Sequence, residues 1–105
     1  GSFQAIKHKC ADMMLLVESA RSAAYYASWA IDNGASDASA AASIAKAYAS
    51  EAFRKCSGDA IQVHGGIGFT WEHDLHLYFK RAKLGEMLFG DPIFHRERLL
   101  TQVLA

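Results

Sequence analysis

Apolar residues recur along the chain at spacings of three and four, the period of a helix with one buried face. From about Phe3 to Asp32 this period passes through Ile6, Cys10, Met13, Val17, Ala20, Ala24, Ala27 and Ile31 with neither Gly nor Pro between them, which predicts one long helix. Asn33-Gly34 is the expected stop, because glycine takes a left-handed cap without a Cβ clash, and Ser36 or Asp37 is placed to cap the next helix. That second helix is predicted from about Asp37 to His64. Ala41, Ile44, Ala45, Tyr48, Ala52, Ala60 and Ile61 are its inner positions, and Lys46, Glu51, Arg54 and Lys55 its solvated ones. Leu75, Leu77, Tyr78, Phe79, Ala82, Leu84, Met87 and Leu88 predict a third helix ending near Gly90. Asp91-Pro92 then reads as N-cap and first-turn proline of a short fourth helix through Leu104. The expected fold is all-α: a four-helix up-down bundle of two long and two shorter helices, forming a single domain over residues 1–105.

The long hairpin raises a difficulty of size. Two helices of nearly 30 residues span about 40–45 Å, more than the diameter of a compact chain of this length, and the roughly 35 residues after them cannot seal both. Moreover, Met13, Met14, Leu15, Leu16, Tyr25, Tyr26 and Trp29 surround the first helix with apolar side chains, as in a helix buried on several sides. The chain is therefore expected to oligomerise or to belong to a larger polypeptide.

Composition narrows the choice of function. Eleven basic and 11 acidic residues balance to zero and are well mixed, so neither a nucleic-acid surface nor an anionic membrane surface is expected. No apolar run approaches the ~18 residues of a membrane span. Cys10 and Cys56 lack CxxC or zinc-type spacing and read as two buried or half-buried thiols in a reducing, cytoplasmic compartment.

The sharpest local feature is Gln62-Val63-His64-Gly65-Gly66-Ile67-Gly68. Its glycines suit either a structural turn or a nest of backbone N–H groups around a phosphate; it has neither GxGxxG nor P-loop spacing. His73 and His76 beside Glu72 and Asp74 could face one metal, but no HExxH or paired Glu-x-x-His signature completes a site, and surface or capping histidines are the preferred reading. The serines lie in Ala-rich helix without a His and acid set that would make one a nucleophile.

With Ala45-Lys46 and Ser50-Glu51-Ala52 before it and Arg81-Ala82-Lys83 after it, the segment Gln62 to Phe69 resembles the C-terminal helical domain of acyl-CoA dehydrogenases. The opening Phe3-Gln4-Ala5-Ile6-Lys7-His8-Lys9, Ala11-Asp12-Met13 and Glu18-Ser19-Ala20-Arg21 resembles that family's first long C-terminal helix. The likeness covers practically the whole chain. It implies the last domain of a larger, dimeric or tetrameric flavoprotein that also has an N-terminal helical domain and a middle β-domain. It also implies FAD bound across a subunit boundary. Gln4 would approach the flavin nucleotide, and Gln62, Val63, His64, Gly65 and Gly66 would line the adenosine and pyrophosphate portion in a neighbouring subunit.

The chemistry implied is α,β-dehydrogenation of an acyl-CoA thioester, in which a carboxylate removes the α-proton and the flavin accepts the β-hydride. In many members the base is a Glu in a Tyr-Glu-Gly-Thr stretch after the third helix. The corresponding stretch here is Leu88-Phe89-Gly90-Asp91-Pro92, with Phe89 in the place of that Glu. A phenyl ring cannot take a proton. Three alternatives follow: a base on an earlier helix upstream of Gly1, a partner subunit without a base in a mixed oligomer, or Asp91; Glu86 has no specific support. Phe89 is also expected to reshape the acyl pocket.

Overall fold

A computed structural model describes residues 2–66 and 72–104 and contains four helices: α1 (Ser2–Asp32), α2 (Ala38–Gly66), α3 (Glu72–Met87) and α4 (Pro92–Leu104). No strand occurs among the described residues. Helix ends follow from local chemistry. At the end of α1, Gly34 has φ +62°, the Gly34 N–H bonds Ile31 O at 3.3 Å and the Ala35 N–H bonds Ala30 O at 2.9 Å, the paired bonds of a Schellman cap. Asp37 precedes α2, and its carboxylate accepts the Tyr26 hydroxyl at 2.5 Å, tying the turn back to α1 and raising the Tyr26 pKa.

α2 is the centre of the molecule, and α1, α3 and α4 each pack on it while barely meeting one another. Lys9 lies 3.9 Å from Asp59, and the Cys56 thiol reaches Met13 O at 3.8 Å, so α1 and α2 run antiparallel. α3 also runs against α2, with Phe79 beside Gly58 and Glu86 beside Arg54. α4 continues in the same sense, its partners on α2 passing from Glu51 at Arg96 to Ser39 at Gln102. The packing is thus of three rods, the third broken at residues 88–91, with extents of 50 × 24 × 24 Å.

Small residues make the contact. Among the described residues the buried apolar side chains are Pro92 and six alanines (Ala27, Ala30, Ala41, Ala47, Ala52 and Ala82), and the largest fully buried side chain is Ser43. Close approach of the backbones through these positions decides which face of α1 turns inward. Ile6, Met13, Ala20 and Ala27 face inward as expected, but Cys10, Val17, Ala24 and Ile31 are exposed, and Leu16, Ala23 and Ala30 take the inner positions. A helix that is apolar all round does not specify its own buried face; the narrowest stripe of side chains does. On α2, Ile44 and Tyr48 are likewise exposed, whereas Lys46, expected in solvent, is half-buried. Large apolar residues remain outside: Leu15 is 67%, Tyr25 70% and Trp29 56% exposed, far more than a self-sufficient core leaves open.

Candidate functional site

The break between α3 and α4 is a built turn. The Leu88 N–H still bonds Leu84 O at 3.2 Å; Phe89 and Gly90 then turn left-handed, with φ +57° and +96°. A positive φ is a genuine outlier for a bulky residue such as Phe. Asp91 starts α4 as expected, its Oδ1 accepting the Phe94 N–H at 2.8 Å, with Pro92 at the first helical position. Gly90 is required twice over. Besides its φ, a Cβ there would lie 2.5 Å from Phe94 Cδ1 and 3.0 Å from His95 Nε2.

Two side chains hold the turn's carbonyls. Lys46 Nζ donates to Glu86 O at 3.2 Å, Gly90 O at 2.9 Å and Ser50 Oγ at 3.0 Å. His95, buried, lies with Nε2 2.9 Å from Phe89 O and Nδ1 3.1 Å from Ser43 Oγ, which also accepts an N–H of Arg98 at 2.8 Å. A carbonyl can only accept, so this network assigns the proton to Nε2. Ser43, already an acceptor from Arg98, can give its own proton to Nδ1, and a neutral imidazole satisfies every bond. Outside this frame the Phe89 ring is 89% exposed, with Leu88, Ile93 and Phe94 exposed around it.

The neighbouring carboxylates are both engaged. Asp91 caps α4, and Glu86 Oε2 takes the Arg54 Nε at 2.7 Å on the α2 side of the turn. Arg96 and Glu51, 2.6 Å apart, form a second ion pair in the same cleft of about 280 Å³.

The other candidate residues gather at one end of the α1–α2 hairpin, because antiparallel packing puts the start of α1 beside the end of α2. Gln4 is exposed, its amide nitrogen 3.4 Å from His8 Nε2; Gln62 and Gly65 are exposed, and Val63 and His64 half-buried. One expectation changes here. α2 runs through Gly66, so Gly65 and Gly66 are helical and their N–H groups point back into the helix. The free backbone groups of a helix C-terminus are carbonyls, which accept from hydroxyl or amino groups and repel phosphate. The remainder of the glycine-rich segment, Ile67 to Trp71, lies outside the described residues. At 1.5 Å per residue, His64 and Lys46 stand about 27 Å apart along α2, so the hairpin end and the Phe89 turn are separate places on this chain.

Among the described residues no three His, Cys, Asp or Glu side chains gather as metal ligands; His76 is exposed, and the His73 side chain lies outside those described. Sequence reasoning missed Lys46, Ser43, His95 and Arg98 as a connected group. One signal was present. His95 follows the N-cap Asp91 by four residues, one helical turn, and so faces back toward the capped turn.

This architecture has known counterparts. A family model described as the acyl-CoA dehydrogenase C-terminal domain matches residues 1–104. The chain belongs to the acyl-CoA dehydrogenase family. It is 44% identical over 98% of its length to the acyl-CoA dehydrogenase IpdE2 of Mycolicibacterium smegmatis, of which it covers 31%. To the acyl-CoA dehydrogenase FadE34 of Mycobacterium tuberculosis it is 48% identical over 97% of its length, covering 15% of that protein. A crystal structure of an FAD-dependent dehydrogenase superposes with a TM-score of 0.84 at 33% identity, over 95% of this chain and 27% of that one. The chain thus spans less than a third of these relatives and corresponds to the family's C-terminal domain, helical in its described residues. No helix among the described residues is long and apolar enough to cross a membrane.

Proposed function

We propose that this domain serves an FAD-dependent α,β-dehydrogenation of an acyl-CoA thioester, within a polypeptide that also contributes other domains and assembles as a homo- or hetero-oligomer in the cytoplasm. The observation that carries the reading is the α3–α4 turn. Residues that the resemblance pairs with the family's Tyr-Glu-Gly-Thr stretch form a left-handed turn held by Lys46 and His95, and the side chain it presents outward is Phe89. The exposed apolar faces of α1 and α3 support burial against further domains or subunits, and two free cysteines fit a reducing compartment.

FAD fits the hairpin end in part. Gln4 and Gln62 offer donor and acceptor groups to a nucleotide edge, and the carbonyls closing α2 accept from ribose hydroxyl or adenine amino groups. His64, Val63, Gly65 and Gly66 line the same end, while contacts to the pyrophosphate would come from elsewhere. When bound, the flavin supplies the hydride acceptor for the β-carbon. Phe89 lines the acyl site and excludes water beside the thioester, and the α-proton goes to a carboxylate outside this chain. Asp91 already serves as the cap of α4 and Glu86 as the partner of Arg54, each through one oxygen, so both carboxylates have a structural role that needs no catalytic one.

Flavin absorbance of the intact protein tests this reading. A bound flavin bleached by acyl-CoA is expected if the base lies upstream on the same polypeptide. Bleaching that appears only after a second, different chain is added supports the second reading, a subunit without its own base, which the engaged carboxylates also favour. A folded, assembled protein that takes up no flavin in either state overturns both. Gly66→Val is expected to lower flavin retention with helix content unchanged.

A further inference from the structure

We propose that Lys46 is a positioning residue for the α3–α4 turn: by holding the carbonyls on either side of Phe89, it keeps that residue left-handed and its ring directed outward. Lys46 is not a solvated surface lysine. It is half-buried, no carboxylate among the described residues lies within salt-bridge distance, and its three ammonium protons match three acceptors at 2.9 to 3.2 Å. Two of those acceptors, Glu86 O and Gly90 O, bracket the residue with φ +57°. Glu86 O is one of the carbonyls that the end of α3 leaves without an intrahelical partner, where a cation is favoured by the helix dipole as well.

A left-handed phenylalanine persists only where its surroundings over-determine it. His95 holds Phe89 O at 2.9 Å, but from α4, the helix that the turn itself carries. Lys46 holds the turn from α2, which belongs to neither side of the break. Released from Lys46, Leu88 to Asp91 can relax toward negative φ, and the ring then leaves its place. The functional part of this inference rests on the reading above, in which Phe89 meets the acyl group.

The test is a double-mutant cycle in the intact flavoprotein with Lys46→Met and Phe89→Gly. Glycine adopts positive φ freely and has no ring to direct. Amide hydrogen exchange across residues 88–91 is expected to rise about tenfold or more in Lys46→Met. The KM for acyl-CoA is expected to rise about three- to tenfold, more than kcat falls, and this effect should shrink to less than about twofold in the Phe89→Gly background. Unchanged exchange in Lys46→Met overturns the assignment, as does a KM effect of equal size in both backgrounds, which marks Lys46 as merely structural. Faster exchange in Lys46→Met, with a wild type that itself shows no acyl-CoA turnover, leaves Lys46 holding the turn and removes the acyl-CoA reading instead. If Lys46→Met does not fold, Lys46→Gln, with one donor nitrogen on a shorter stem, should still exchange faster than wild type across residues 88–91, and a wild-type rate there overturns the assignment.

Discussion

Asp91 separates capping from catalysis in a pair of substitutions. Its Oδ1 accepts the Phe94 N–H at 2.8 Å at the start of α4, where a negative charge also meets the positive end of the helix dipole. Alanine removes both effects, about 1 kcal/mol for the capping bond and about 0.3–1 kcal/mol for the charge, so Asp91→Ala should destabilise by about 1–2 kcal/mol. Asparagine caps as well as aspartate and loses only the charge, a few tenths to about 1 kcal/mol. Neither substitution leaves a carboxylate. If Asp91 were the base, both would lower turnover by about 10²–10⁴. The expected result is different: Asp91→Asn keeps acyl-CoA-dependent reduction of an artificial electron acceptor within about threefold of wild type, because no proton passes through this residue. Urea unfolding of the intact protein, monitored at the helices, gives the stability difference. A well-folded Asp91→Asn protein with turnover reduced a hundredfold or more would refute the reasoning, and an Asp91→Ala protein as stable as wild type would remove the capping account.

The two left-handed glycines should respond unequally to alanine. Gly34 has open space around its Cβ direction, so Gly34→Ala carries only the torsional term of about 1–2 kcal/mol, whereas Gly90→Ala adds the approach to Phe94 and His95 and should destabilise by about 3 kcal/mol or more; equal urea midpoints would show that Phe94 and His95 yield freely. Burial and the neighbouring Asp59 raise the Cys56 pKa, with Lys55 opposing, so at a given pH this thiol holds less thiolate than a free cysteine. Its alkylation should therefore be slower than that of free cysteine in mildly alkaline buffer and should keep rising with pH after the free thiol has fully ionised; a rate matching the free thiol throughout would contradict this.

Much of the candidate chemistry was legible before any coordinates. Asp91-Pro92 as cap and first turn is visible in residue order, and Gln4 with Gln62 to Gly66, one proposed set in the sequence, comes to one hairpin end in the fold. Other features were hidden by their dependence on distant residues. Lys46 reads as solvated from its own helix, because the carbonyls that bury it belong to residues 40 and 44 positions later. Gly65 and Gly66 read as a turn, yet the α2 backbone continues through them, which replaces a supply of N–H donors by a supply of carbonyls.

The sequence by itself determined that there are helices, where α1 ends and where α4 begins. Runs free of Gly and Pro, the Asn33-Gly34 stop and the Asp91-Pro92 start act through bonds within about one turn of the chain, and no tertiary partner is needed to specify them. Only the tertiary structure decided which face of α1 lies inside, that α3 and α4 follow one another along α2, and that Phe89 stands left-handed between Lys46 and His95. A helix as apolar as α1 offers several equivalent faces, and the closest backbone approach, through alanines, selects among them; the turn's conformation is held by side chains from two other helices, which no local pattern contains.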